Sequence, residues 1–371
     1  MALVFRRGLF AGKTAIVSGG GSGIGKDVAR QLLGLGANVL LASRDEAKLA
    51  AAARALRAEV DDLEHVISDH DTARAMRRAT PPRVDFQRCD IRDGKDVARL
   101  MARAVSSFGR IDCLVNNGGG QFPCAAEALS DNGWSAVLDT NLTGTFRMAR
   151  EAVTTPGGLR DTGGSIVNVI CLHEQGFPSM AHTGAARAGV KNLTKSLAVE
   201  WANYGIRVNA VAPGIIFSAS AEANYSSSSS SSDADAKEDG GGVFAQMLSS
   251  KAPVIPFRRL GSVREVSNAI CFLLGPGGSY MSGTCLEVDG ALNCAGVTGS
   301  DVFLRRPAHG KSPREAFPVE GDDLLPDFCV ADDDRVQVVV DGGATSGGDD
   351  DVAVQIRELE AKLAMLRRDE K

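Results

Sequence analysis

Lys13-Thr14-Ala15-Ile16-Val17-Ser18 runs without a break into Gly19-Gly20-Gly21-Ser22-Gly23-Ile24-Gly25, and an amphipathic stretch follows at once. The order is strand, glycine turn, helix. Glycines in such a turn permit a tight reversal, let backbone approach a pyrophosphate, and let the helix pack closely on its strand. The helix start then offers free N–H groups and a partial positive charge to the phosphates. A bare glycine pattern is weak evidence, but the three parts in sequence within about 30 residues point to a dinucleotide site.

Outward from this unit, short Val-, Ile- and Leu-rich runs alternate with longer helical patterns. Strands are expected at 13–18, 38–43, 84–89, 112–116, 165–170, 206–212 and 285–288. Several are nearly continuous apolar runs, as strands covered on both faces require. Right-handed crossovers wind them into one α/β domain: a doubly wound, seven-stranded parallel sheet of the Rossmann type spanning 1–295. Ala186, Val190, Leu193, Leu197 and Trp201 recur at helical spacing and predict a helix with a buried face over about 183–203.

Two regions break the alternation. Residues 226–232 are all serine, and acidic residues and three glycines extend the low-complexity stretch to 242. Such a segment buries too little surface to offset its ordering entropy, so a flexible insertion is expected. Residues 296–371 form a polar, Asp-rich tail, in which Ile356, Leu359, Leu363 and Leu366 suggest a short amphipathic helix at 352–368.

Composition narrows the function. Apolar residues make up 44% of the 371, enough for a large core, and the net charge of -5 argues against nucleic-acid binding. The eight cysteines have no paired spacing and the five histidines are dispersed, so reduced thiols and no metal site are expected. No apolar run approaches the roughly 20 residues that cross a bilayer. The second strand ends at Ser43-Arg44, where an NAD site would place a carboxylate. A guanidinium with a neighbouring hydroxyl suits a 2′-phosphate, which favours NADPH, unless Asp45 pairs with Arg44.

The form Ser18-Gly19-x-x-x-Gly23-x-Gly25 resembles the short-chain dehydrogenase/reductase superfamily over about residues 8–295. Cys89-Asp90-Ile91, Asn116-Asn117-Gly118-Gly119, Asn141 and Asn209-Ala210-Val211-Ala212-Pro213-Gly214 agree with it. The resemblance implies cofactor contacts from Ser18, Gly19, Ser22, Gly23, Ile24, Gly25, Ser43 and Arg44. It also implies Asp90 and Ile91 at the adenine, Asn117, Gly118 and Gly119 beside the adenosine ribose, and Pro213, Gly214 and Ile216 along the nicotinamide. Asn116 through Phe122, and His182-Thr183-Gly184-Ala185-Ala186-Arg187-Ala188-Gly189-Val190, are similar to the peroxisomal trans-2-enoyl-CoA reductases. That likeness implies an acyl-CoA thioester substrate, a homo-oligomer and a peroxisomal location. The final Asp369-Glu370-Lys371 is not a Ser-Lys-Leu-type address.

The usual Ser, Tyr and Lys of the superfamily fall at Cys171, Thr183 and Arg187. A threonine hydroxyl has no accessible pKa near neutrality, so it cannot act as the acid in ketone reduction. Reduction of an activated C=C bond fits better: hydride reaches the β-carbon of an enoyl thioester, and donors stabilise the enolate oxygen. Thr183 is the candidate donor, Asn141 is expected to hold a structural water, and Arg187 can reach the ribose. Lys191 stands where the enoyl-CoA reductases carry a tyrosine, and it can give a proton only if desolvation lowers its pKa. Thr183, Arg187, Lys191 and Lys195 share one helical stripe, whose like charges need anions nearby. His173 and His182 flank the expected pocket, where a lone histidine is more often structural than catalytic; Tyr204 and Tyr225 are alternative proton donors, and Phe122 and Phe217 can line an acyl channel. Reduction of 2,4-dienoyl-CoA is the alternative chemistry, and a cofactor-binding interaction module that has lost catalysis is the alternative class.

Overall fold

The apolar runs alternate their side chains between two helix layers, and this alternation builds the molecule. Ala15, Val17, Val39 and Leu41 face one buried cluster, while Ile16 and Leu40 face the other. The computed structural model describes residues 8–66, 81–218 and 254–294, all within the unit Met1–Ala331. The serine insertion, Tyr225, the tail and its terminal helix lie outside the described residues.

In chain order the elements are β1 (Thr14–Ser18), α1 (Gly23–Gly34), β2 (Asn38–Ser43), α2 (Glu46–Val66), β3 (Val84–Arg88), α3 (Gly94–Phe108), β4 (Cys113–Asn116) and α4 (Asp131–Leu138). They continue with α5 (Gly144–Thr154), α6 (Leu159–Thr162), β5 (Gly164–Val169), α7 (Ala181–Glu200), β6 (Ile206–Pro213), β7 (Ile216–Phe217), β8 (Gly261–Ser262), α8 (Val263–Leu274) and β9 (Cys285–Val288). The main sheet is seven-stranded and parallel in the order β3-β2-β1-β4-β5-β6-β9. Each expected strand forms, with ends shifted by at most a residue. The two-residue strands β7 and β8 form a small separate sheet that was not expected.

One face of the sheet is covered by α1, α2 and α8, through Val28, Leu32, Leu49, Leu56, Ile270 and Leu273. The other is covered by α3, α5 and α7, through Leu100, Met101, Met148, Ala152 and Leu197. This is the doubly wound Rossmann fold. Strand order reverses between β1 and β4, so their following loops diverge and leave a crevice at the C-terminal edge of the sheet, where ligands bind in such folds. Among the described residues no helix is long and apolar enough to cross a membrane.

Candidate active site

The turn after β1 is held from both sides. Its Gly19 N–H donates to Ala42 O on β2 at 2.7 Å. From the other side, Ser18 Oγ accepts from the N–H groups of Asn117 (3.1 Å) and Gly118 (2.9 Å), and donates to Val115 O at 3.2 Å. Asn117 Nδ2 donates to Ser18 O and Gly19 O at 3.2 and 3.4 Å. The Asn117 amide therefore clamps the glycine turn itself, a role its expected place beside the ribose did not reveal. Gly25 is required by packing, because a Cβ there would lie 2.3 Å from Gly19 O. Gly19 sits at φ 69 and Gly23 at φ 51, in the left-handed region open to glycine. Ser22 precedes α1 but makes no side-chain cap. The first-turn N–H groups, Ile24 among them, are thus left for an anion, and the cradle fits a pyrophosphate.

At the end of β2, Asp45 turns to Lys48, accepting from its N–H at 3.0 Å with Nζ at 3.9 Å. Its pairing with Arg44 does not occur. Arg44 is exposed and makes no hydrogen bond or ion pair among the described residues, with Ser43 Oγ close by on Asp45 O at 3.3 Å. Asp90, expected at the adenine, is gripped by Arg92 through Nε (3.0 Å), Nη2 (2.6 Å) and backbone N–H (3.0 Å). Those bonds hold its carboxyl down to about 2, with Arg44 adding a further attraction. Ile91 packs beneath the site, within 2.8 Å of where a Gly144 side chain would start.

Between α4 and α5 the helix widens to a π turn, Asp139–Thr143, of a kind common at functional sites. It presents Asn141, 0% exposed, to the loop after β4. Asn141 Nδ2 donates to Gly120 O at 2.9 Å, and Gly120 N–H donates back to Oδ1 at 3.0 Å. The amide that was expected to hold a water is thus closed on the backbone. Arg187, 9% exposed, donates from Nη1 to Val169 O at 3.0 Å, and burial lowers its pKa. A Cβ on Gly119 would meet Arg187 Nη2 at 2.4 Å and Asn141 Oδ1 at 3.0 Å. Gly119 is glycine because those two side chains converge on it. Across the crevice, Gly214 N–H after Pro213 donates to Val288 O at 3.0 Å, and Ile216 pairs with Gly261.

Thr183 is fully buried at the start of α7. Its N–H donates to His182 Nδ1 at 2.8 Å, its Oγ1 lies 3.5 Å from the same nitrogen, and the His182 ring meets Phe122 edge-on at 4.7 Å. Cys171 is half-buried, and burial raises its thiol pKa against the pull of Arg187, so it is no thiolate nucleophile.

Lys191 departs from expectation. Its Nζ is paired with Glu174 Oε1, and that bond raises its pKa. The desolvation that would have made it an acid is outweighed, and Glu174 is the anion that the cationic stripe of α7 required. Glu174 is itself held at about 2, where the bonds from Lys191 and from the His173 N–H overcome the opposing effect of burial. His173 Nδ1 stands 3.3 Å from Glu174 Oε2.

Tyr204 is ruled out as a proton donor. It precedes β6, at the opposite edge of the sheet, with Arg160 over its ring at 4.7 Å and bonded to its hydroxyl at 3.1 Å. Sequence reasoning missed a buried amide chain under the site. Asn116 Nδ2 donates to Asn168 Oδ1, whose Nδ2 donates to Thr194 Oγ1, both at 2.9 Å. The available signal was an amide, Asn168, set between Val167 and Val169 in a central strand.

Residues 64–293 match the family model described as enoyl-(acyl carrier protein) reductase, and residues 13–80 match that of short chain dehydrogenase. A peroxisomal 2,4-dienoyl-CoA reductase of Pongo abelii is 33% identical over 76% of this chain and 84% of its own length. A probable 2,4-dienoyl-CoA reductase of Bacillus subtilis is 32% identical over 75% and 95%. Among solved structures, a citronellol catabolism dehydrogenase of Pseudomonas aeruginosa is 37% identical, with a TM-score of 0.60 over 78% of this chain and 98% of its own. An actinorhodin polyketide ketoreductase variant solved with NADPH is 29% identical, with a TM-score of 0.61 over 76% and 97%.

Proposed function

The chain belongs to the short-chain dehydrogenase/reductase family, and from that premise we propose that it is an NADPH-dependent reductase of the activated C=C bond of an acyl-CoA thioester, with trans-2-enoyl-CoA as substrate. The observation that carries this reading is the pair at the head of α7: a buried Thr183 where ketone reducers need an acid, with Arg187 fixed one turn on. When bound, the reduced nicotinamide supplies the hydride. The residues then have one main task, which is to stabilise negative charge on the thioester oxygen.

Thr183 Oγ serves as donor to that oxygen. The Arg187 guanidinium has five N–H donors and uses one on Val169 O, so it can bind the ribose and oppose the developing charge. Asn141 keeps the Gly119–Gly120 backbone in place. Ser18, Gly19, Ser22, Gly23, Ile24 and Gly25 form the pyrophosphate cradle, and Arg44 with Ser43 receives the 2′-phosphate.

A 2,4-dienoyl-CoA substrate is the second reading, favoured by the names of the relatives. NADPH oxidation should be followed with trans-2-enoyl-, 2,4-dienoyl- and 3-ketoacyl-CoA. Turnover of either unsaturated thioester with little on the ketone supports the proposal, and their relative rates choose between its two forms. Strong ketone reduction overturns the reading of Thr183. NADPH binding without any turnover replaces it with the interaction module.

A further inference from the structure

The described residues of this site contain an obvious place for an oxyanion and no tyrosine to finish the reaction. Lys191 is held by Glu174, the Cys171 thiol is raised by burial, and Tyr204 lies at the far edge. Two imidazoles remain, and each has a buried Nε2 without a partner. They are not equivalent. His182 Nδ1 faces the Thr183 N–H and its ring is wedged edge-on against Phe122, with no carboxylate paired to it among the described residues. His173 has that carboxylate.

Its side chain is 7% exposed, its Nδ1 lies 3.3 Å from Glu174 Oε2, and its own N–H donates to the same oxygen at 3.1 Å. The other oxygen, Glu174 Oε1, is fixed by Lys191. Imidazole and carboxylate on the loop after β5, two residues beyond Cys171, are thus joined to a cation on α7, at the edge where the crevice opens. The carboxylate beside Nδ1 fixes the orientation of the ring, and Nε2, buried and without a partner among the described residues, is the nitrogen left to exchange a proton with a ligand.

We propose that His173 is the catalytic acid of this enzyme, and that Glu174 and Lys191 are positioning residues that hold its ring in place. The inference rests on the C=C reductase reading. A reduced nicotinamide, when bound, would supply the hydride, its own C–H bond breaking as the ring is oxidised, and the new C–H bond would form at the β-carbon, or at the δ-carbon of a dienoyl group. The π electrons move to the thioester oxygen as an enolate or its vinylogue. The enolate carbon then takes the proton from Nε2. The N–H bond breaks, its electron pair stays on the ring, and water later returns a proton to the neutral imidazole. One hydride and one proton are added across the substrate, and nothing else is consumed.

The test uses the full chain with NADPH and the two unsaturated thioesters. His173→Ala is expected to lower kcat by about 10²–10⁴-fold, while KM and NADPH affinity stay within about threefold. Free imidazole should restore part of its kcat and leave the wild type unchanged. Lys191→Arg should keep kcat within about threefold, because arginine can grip Glu174 but cannot release a proton near neutrality. Lys191→Ala should lose about tenfold. If His173→Ala does not fold, His173→Gln keeps a polar side chain beside Glu174 without a transferable proton and must show the same loss of kcat. An active wild type whose His173 variants stay within threefold overturns the assignment alone, as does a loss in His173→Ala that imidazole does not relieve. Equal inactivity of Lys191→Arg and Lys191→Ala gives the proton to Lys191 instead. A wild type that binds NADPH yet reduces neither thioester overturns the reductase reading and this inference together.

Discussion

Where β4 begins, Asp112 is buried and saturated: it accepts from Thr14 N–H at 3.0 Å, Lys13 Nζ at 3.0 Å, and Arg110 Nε and Nη2 at 2.8 and 2.6 Å. Nearby, Arg207 at the start of β6 caps the last carbonyls of α8, donating to Leu273 O at 2.6 Å and Leu274 O at 3.0 Å. Where the same strands end, Asn116 Oδ1, His173 Nε2 and His182 Nε2 are buried with no partner. Among the described residues, the Thr14 hydroxyl is the one such atom at the opposite edge. Buried polar atoms left unsatisfied cost roughly 1–3 kcal/mol each. A fold carries that cost where something else is to complete the bonds. One edge secures the sheet, and the other is held ready for ligands.

The sharpest way to separate the two edges is Gly119→Ala. The new methyl falls on Arg187 Nη2 and Asn141 Oδ1, the ends of side chains rather than backbone, so the fold can yield while the donor fork shifts. Loss of one preorganised donor costs about 10²–10³-fold in kcat. That loss is expected here, with little change in the urea midpoint. A variant that is inactive only because it is unfolded would show that this edge, too, is built for stability.

Asp112→Ala is the reciprocal change. It strands two cations and a buried N–H, although Lys13 and Arg110 are partly exposed and can turn to solvent. A loss of about 2–3 kcal/mol is expected from urea unfolding, with kcat per folded molecule unchanged. A fall in kcat at full folding would mean that the two edges are coupled.

Arg44→Ala probes the reach of the ligand edge. Arg44 has no partner among the described residues to leave stranded, so stability should hold. NADPH affinity should fall about 10–30-fold, roughly 1.4–2 kcal/mol, with NADH affinity unchanged. Equal loss for both cofactors would remove the 2′-phosphate from the account.

The two edges also differed in how much the sequence disclosed. Strands were legible because Ile16, Leu40, Leu114 and Ile166 sit in continuous apolar runs, and α7 because its buried face repeats at helical spacing. The β7–β8 pair was invisible, since two residues show no periodicity. Ser18 and Gly119 are legible as motif letters, yet their reasons are contacts with distant parts of the chain: the Gly118 N–H to Ser18 Oγ bond across 100 residues, and the approach of Arg187 and Asn141 to Gly119. Lys191 shows the limit most clearly. Helical spacing placed it on the cationic stripe, but its chemistry is set by Glu174, on a loop whose path no local pattern fixes.

Glu174 supplies the smallest effect and the last test of the contrast, because its pairing is partly solvated. Its folded pKa of about 2 lies below the ordinary 4.5, so the ionised form is favoured by folding. The resulting stability is full above the unfolded pKa and disappears as pH falls through about 2. With the side chains of Glu174 and Lys191 33% and 26% exposed, solvent screening limits it to about 0.5–1 kcal/mol. Wild type should therefore exceed Glu174→Gln by that margin in urea unfolding at pH 7. The gap should narrow below about pH 4.5 and close near pH 2. A gap independent of pH would mean that Glu174 acts by packing, and the ligand edge would lose the charge that fixes its histidine.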